Sequence, residues 1–294
     1  MNRITTADIR EMKKRGQKIV MMTAYDYPTA RLVDEAGADM ILVGDTLGMV
    51  VLGYDSTLPV TMEDMIHHTK AAVRGSKHAM VVGDMPFMSF QTGWQDAMRN
   101  AARFLQETGC GAVKLEGGVR SAEIVKKLVE AGIPVMGHIG LTPQSVNQVG
   151  GWKVQGKTPA AAVQLMHDAQ ALEQAGAFGI VLELVPAPLA ELLTGRLSVP
   201  TIGIGAGVHC DGQVQVFHDL LGLYDGFVPK HAGRYADAGA IIRDAVARYA
   251  ADVRTGAFPT DKQSFKMDPA ALAELSPLTN SNNLARRHAL GLDA

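Results

Sequence analysis

Residues 39–60 read Asp39-Met40-Ile41-Leu42-Val43-Gly44-Asp45-Thr46-Leu47-Gly48-Met49-Val50-Val51-Leu52-Gly53-Tyr54-Asp55-Ser56-Thr57-Leu58-Pro59-Val60. Met40 to Val43 is a short apolar run containing β-branched Ile41 and Val43, the pattern of a strand buried on both faces. The run stops at Gly44-Asp45-Thr46, and a long loop with Gly48, Gly53, Asp55 and Pro59 follows. In a barrel of parallel strands, the loop after a strand is where chemistry sits. Asp45 taken alone reads equally well as a loop-bracing residue. The recurrence of the pattern along the chain decides between the two.

Working outward, strand-like runs are expected at Ile19–Ala24, Met40–Val43, Met80–Asp84, Gly111–Glu116, Pro134–His138, Phe178–Glu183, Pro200–Ile204 and, more weakly, Gly226–Pro229. Between them lie helix-like segments. Thr6 begins one that Gly16 ends, and another starts near Tyr25 and closes at Gly37. Thr61 caps a third that runs to Gly75. Others cover 92–108 and 121–131, and Thr158-Pro159 opens one with proline at its favoured first position. A last long helix is expected over 236–253. Eight strands alternating with helices, uninterrupted by a linker, predict an α/β fold: a (β/α)8 TIM barrel with an N-terminal helix and a C-terminal tail. One barrel domain is expected over 1–265. The tail, 266–294, turns to Pro, Ala, Ser and Asn and is expected to be mobile apart from a short helix at Pro269–Leu275.

Composition excludes several classes of function. The 294 residues hold 28 Lys and Arg against 30 Asp and Glu, a formal net charge of −2, with both signs scattered. Without a basic block there is no signature of nucleic-acid binding. No stretch approaches the ~20 apolar residues of a membrane span, and the N-terminus lacks the apolar core of a signal peptide. Cys110 and Cys210 stand far apart in no metal-ligand spacing and read as reduced thiols. A soluble, cytoplasmic protein is expected.

Asp45, Asp84, Glu116, His138 and Glu183 end the second to sixth strands in succession. If the barrel closes, all five meet at one mouth. Lys114 precedes Glu116 by two residues and shares its strand face. Buried charges are costly unless paired or metal-bound. Crowded carboxylates with oxygen donors and no cysteine call for a hard divalent ion, Mg2+ in preference to Zn2+. The competing reading is an ion network of Lys114, Glu116 and Asp84 that only holds the barrel together.

Several segments carry a resemblance to a known family. They are Gly44–Met49 with Asp55–Thr61, Val82–Phe87, Val113–Gly118, Gly137–Gln144, Leu182–Pro186 and Ile202–Gly207. From about Thr5 to Phe265 the chain resembles ketopantoate hydroxymethyltransferase. It departs at Thr46, where the family has serine, and at Tyr54, where it has histidine. The resemblance implies transfer of a hydroxymethyl group from 5,10-methylenetetrahydrofolate to 3-methyl-2-oxobutanoate through a Mg2+-stabilised enolate, in pantothenate and coenzyme A biosynthesis. It implies Asp45 and Asp84 as Mg2+ ligands, with Glu116 in the metal's sphere. Thr46 and Lys114 would hold the substrate, where Asp45, Asp84 and His138 also count as contacts, and Glu183 would be the catalytic base. The expected partners are the keto acid, the folate and copies of the same chain in a homodecamer, with neither nucleic acid nor membrane.

Two other functions fit the same residues. A Schiff-base aldolase or lyase would use Lys114 as a nucleophile, although nearby acids would keep it protonated. A non-catalytic relative would bind the keto acid or folate as a sensor. Among weaker signals, Gly203-Ile204-Gly205-Ala206-Gly207 lacks the spacing of a dinucleotide cradle. Glu63 and His67 read as a helix-surface pair. Asp211 reads as a helix cap, and Trp94 and Trp152 as packing residues.

Overall fold

The computed structural model describes residues 3–275 apart from 225 and 227. The remainder of the expected tail, 276–294, lies outside the described residues. The chain divides into two compact units between Gly239 and Ala240.

The first unit is a closed barrel of eight parallel strands in sequence order. The strands are β1 (Ile19–Thr23), β2 (Met40–Val43), β3 (Met80–Asp84), β4 (Ala112–Glu116), β5 (Val135–Gly140), β6 (Gly179–Glu183), β7 (Thr201–Ile204) and β8 (Gly212–Gln215). The helices are α1 (Thr6–Lys14), α2 (Tyr27–Glu35), α3 (Leu47–Val50), α4 (Met62–Gly75), α5 (Trp94–Arg103), α6 (Val119–Glu130), α7 (Val146–Val149), α8 (Pro159–Gln174), α9 (Ala187–Arg196) and α10 (Phe217–Leu221).

Local chemistry explains where the helices begin. Thr5 and Asp8 cap α1 reciprocally, and Thr61 and Asp64 do the same for α4. The Thr158 side chain accepts from Ala161 N at 3.3 Å to start α8. Inward-facing Met21, Met40, Met80, Val82, Met136, Val181, Ile202 and Val214 fill the barrel as a packed core. Outward-facing Ile41, Val43, Val113, Val135 and Leu182 bury themselves against the helices in a second, larger cluster. Strands β2 to β6 therefore bury both faces until their C-terminal ends, whereas β1 and β8 leave Val20 and Gln213 exposed on the outer face.

The structure corrects three expectations. The eighth strand is Gly212–Gln215, not Gly226–Pro229. Its sequence, Gly-Gln-Val-Gln, lacks an apolar run because only alternate residues, Gly212 and Val214, turn into the barrel. Asp211 caps no helix. It precedes β8 and accepts from Thr201 N at 2.8 Å and Lys13 Nζ at 2.7 Å, stitching α1 and β7 to the strand. Trp94 and Trp152 stand outside the core, each largely exposed. Helix α9 is additional to the helices expected from the sequence, and Pro188 sits in its first turn, where proline is tolerated.

The second unit carries α11 (Ala238–Thr255), which has no buried residue. Its Ile242, Val246, Tyr249 and Val253 form an exposed stripe at helical spacing. Residues 269–275 are helical, as the tail reading expected.

Candidate active site

The strand ends place the candidate residues. In the barrel register Asp84 lies opposite Lys114, Glu116 opposite His138, and Gly140 opposite Glu183. Lys114 and Glu116, two apart on β4, face the same way. Asp45 follows β2 directly after Gly44, where its backbone N–H donates to Asp84 Oδ2 at 3.2 Å. Gly140 makes the close of the mouth possible. At φ +91° a side chain is strained, and a Cβ there would run into the Glu183 carbonyl. That carbonyl instead accepts Leu141 N at 2.8 Å, drawing the loop after β5 against β6.

Asp45, Asp84, Lys114, Glu116 and His138 are each no more than 3% exposed. Lys114 Nζ is 2.8 Å from Asp84 Oδ1, a buried ion pair. On its other side Lys114 lies 3.3 Å from His138 Nδ1. A protonated lysine can only donate, so Nδ1 accepts and the imidazole proton sits on Nε2. Nε2 is 3.2 Å from Glu183 Oε2, without hydrogen-bond geometry. Glu116 Oε1 lies 3.6 Å from His138 Nδ1. The result is a chain of polar groups, Asp84–Lys114–His138–Glu183, crossing the mouth from β3 to β6.

Electrostatics differentiate the acids. Burial, with Asp84 beside it, pushes Asp45 up to about 7. Burial raises Glu116 well above the carboxylate range. Glu183 is raised to about 7 by burial, partly offset by the charges of Lys114 and His231. Burial works against the Lys114 ammonium, but Asp84, Glu116 and Asp45 more than compensate and hold it protonated. Burial and the Lys114 charge keep His138 neutral, well below its usual value. A carboxylate poised near neutrality beside a fixed cation suits removal of a proton from a carbon acid.

All the sequence-predicted residues gather at this mouth except that Thr46 is only half-buried and makes no capping bond to α3. The three expected metal ligands are not drawn into one cluster. Among the described residues no group of three or more His, Cys, Asp or Glu is arranged to hold a metal ion. Asp45 and Asp84 are adjacent, while Glu116 Oε2 turns to the backbone N–H of Gln144 at 3.1 Å. Gln144, which carries no signal of its own in the sequence beyond the segment Gly137–Gln144, reaches Asp45 Oδ2 with its side chain at 2.9 Å. His231, whose charge bears on Glu183, was also missed, because it lies in an irregular stretch without periodicity. Glu63 pairs with Arg103 of α5 at 3.1 Å, where the sequence suggested a pair with His67 on its own helix.

Residues 3–261 match the sequence profile of the ketopantoate hydroxymethyltransferase family. A 3-methyl-2-oxobutanoate hydroxymethyltransferase of Dehalococcoides mccartyi is 61% identical over 273 residues, covering 93% of this chain and 98% of the relative. One from Carboxydothermus hydrogenoformans is 60% identical over 275 residues, covering 94% of this chain and all of its own length (100%). Among solved structures, the phosphoenolpyruvate phosphomutase of Streptomyces platensis subsp. rosaceus superposes with a TM-score of 0.58 at 15% identity, over 96% of this chain and 99% of that one. At that identity the likeness shows the fold alone.

Proposed function

This chain belongs to the ketopantoate hydroxymethyltransferase family and is a hydroxymethyl-transferring enzyme, and we propose that it acts on 3-methyl-2-oxobutanoate with 5,10-methylenetetrahydrofolate as donor. Glu183 takes the proton from the carbon beside the ketone, and the resulting enolate carbon attacks the donor's methylene unit. Water supplies the hydroxyl oxygen and tetrahydrofolate departs, giving ketopantoate. The observation that carries this reading is Glu183 itself: an acid closing an apolar strand, raised to about 7 and 3.2 Å from a neutral histidine. The Lys114 ammonium supplies fixed positive charge where negative charge develops on the substrate. Asp45, Asp84, Thr46 and His138 complete the substrate's surroundings.

Asp45, just after β2, and Asp84, at the end of β3, are adjacent and fit a hard divalent ion such as Mg2+, with Glu116 turned toward the Gln144 backbone beside them. Asp84 Oδ1 is buried with the Lys114 ammonium 2.8 Å away, and the Asp45 and Glu116 carboxylates are destabilised as anions by burial and by the charge of Asp84. The donors are all oxygen. When bound, Mg2+ would stabilise charge on the keto acid's oxygens.

The exposed stripe of α11 supports self-association, with the family's homodecamer as the proposed assembly. Among the described residues no helix is long and apolar enough to cross a membrane, which agrees with a cytoplasmic location. The test of the function is direct: ketopantoate formation from keto acid and methylenetetrahydrofolate, with and without Mg2+. Absence of product under both conditions would overturn the proposal.

A further inference from the structure

Gln144 stands just past β5 in the loop that covers the mouth, and the reaction as proposed gives it no part. It is 4% exposed, unusual for an uncharged polar side chain in a loop. Every hydrogen-bonding group of its side chain is engaged. Nε2 donates to Asp45 Oδ2 and to the Met85 carbonyl, both at 2.9 Å. Oε1 accepts from Gln91 Nε2 at 3.2 Å. Gln91 Oε1 in turn accepts the Phe90 N–H at 3.3 Å. The backbone N–H of Gln144 meanwhile donates to Glu116 Oε2 at 3.1 Å.

The orientation of the amide is therefore decided. A flip would set its oxygen against the Asp45 carboxylate and the Met85 carbonyl, two acceptors, and its NH2 against a donor. Gln91 locks the orientation from behind, and the aligned amides direct their positive ends toward Asp45. One residue of the β5 loop thus holds the carboxylates that follow β2 and end β4, and touches the backbone after β3. These two carboxylates repel each other, so without such donors their rotamers would drift apart.

We infer that Gln144 is a positioning residue, whose hydrogen bonds to Asp45 and Glu116 hold the two carboxylates in one arrangement for a divalent cation and the keto acid. The inference rests on the metal reading proposed above. Outer partners of metal-binding carboxylates characteristically change affinity by about 10–100-fold when removed. Gln144→Met keeps the length and removes the side-chain donors. Gln91→Leu leaves Gln144 and its bonds to Asp45 and Met85 in place and removes the donor that supports the amide from behind.

The probe is Mn2+ as a paramagnetic stand-in for Mg2+, followed by the loss of the free-ion resonance signal, with Mg2+ competition and no turnover. Gln144→Met is expected to bind Mn2+ about tenfold more weakly. Gln91→Leu should shift affinity in the same direction by a smaller factor. In solvent-exchange kinetics at saturating metal, the keto acid KM should rise while kcat holds, since Glu183 is untouched. A purely structural staple would lower the melting temperature and leave Mn2+ affinity unmoved. Parental affinity in folded Gln144→Met or in Gln91→Leu overturns the inference while the metal reading stands. A parent enzyme that binds no Mn2+ overturns both.

Discussion

Replacing Glu183 with Gln keeps the shape of the side chain and removes the proton acceptor, and it should separate activity from stability in opposite directions. Loss of one positioned base costs about 10²–10⁴ in rate. The assay needs no folate: keto acid and Mg2+ are incubated with enzyme in D2O, and the proton beside the ketone is followed by NMR. The parent should exchange it, with a rate that climbs through pH 7 as Glu183 ionises. Glu183→Gln should exchange it about 10²–10⁴ times more slowly, without that rise through pH 7.

The stability arm follows from the same burial. Glu183, with a side chain 13% exposed, moves from an ordinary value of 4.5 to about 7 on folding. Between these values the unfolded chain has released its proton and the folded chain has not, so stability falls as pH rises through that window. At about 1.4 kcal/mol per pKa unit the full cost above pH 7 is roughly 3 kcal/mol. Glu183→Gln should escape it. Chemical denaturation should find the variant more stable above pH 7 and little different from the parent below pH 4.5. A variant that exchanges the proton as fast as the parent would refute the assignment of the base. A pH-independent stability difference would refute the electrostatic account.

Lys114, held protonated between Asp84 and His138, should form no imine, so borohydride with the keto acid is expected to leave the protein mass unchanged; a stable adduct on Lys114 would favour the aldolase reading. Truncation after Phe265 is expected to preserve turnover and elution volume, and loss of either on gel filtration or assay would give the tail a structural role.

Much of this protein was legible in its sequence, and the reason is periodicity. Strands buried on both faces leave runs such as Met40–Val43 and Met80–Val82 that nothing else in a chain this size explains. An acid ending such a run has no packing use, so Asp45, Asp84, Glu116 and Glu183 could be picked out before any fold was known. Capping chemistry is local too, which is why Thr61 and Thr158 marked their helices correctly. What escaped the sequence is whatever depends on a neighbour distant in the chain. The eighth strand is polar because half of it faces away from the core, and its pairing with Ile19–Met22 on one side and Ile202–Gly203 on the other makes it a strand. Gln144 looks like any loop glutamine until the barrel closes and brings it to Asp45, 99 residues earlier. The pKa of Glu183 belongs to the same class. Its identity was written at position 183, but the desolvation that lifts it toward neutrality arises only when the strands and loops of the mouth exclude water around it.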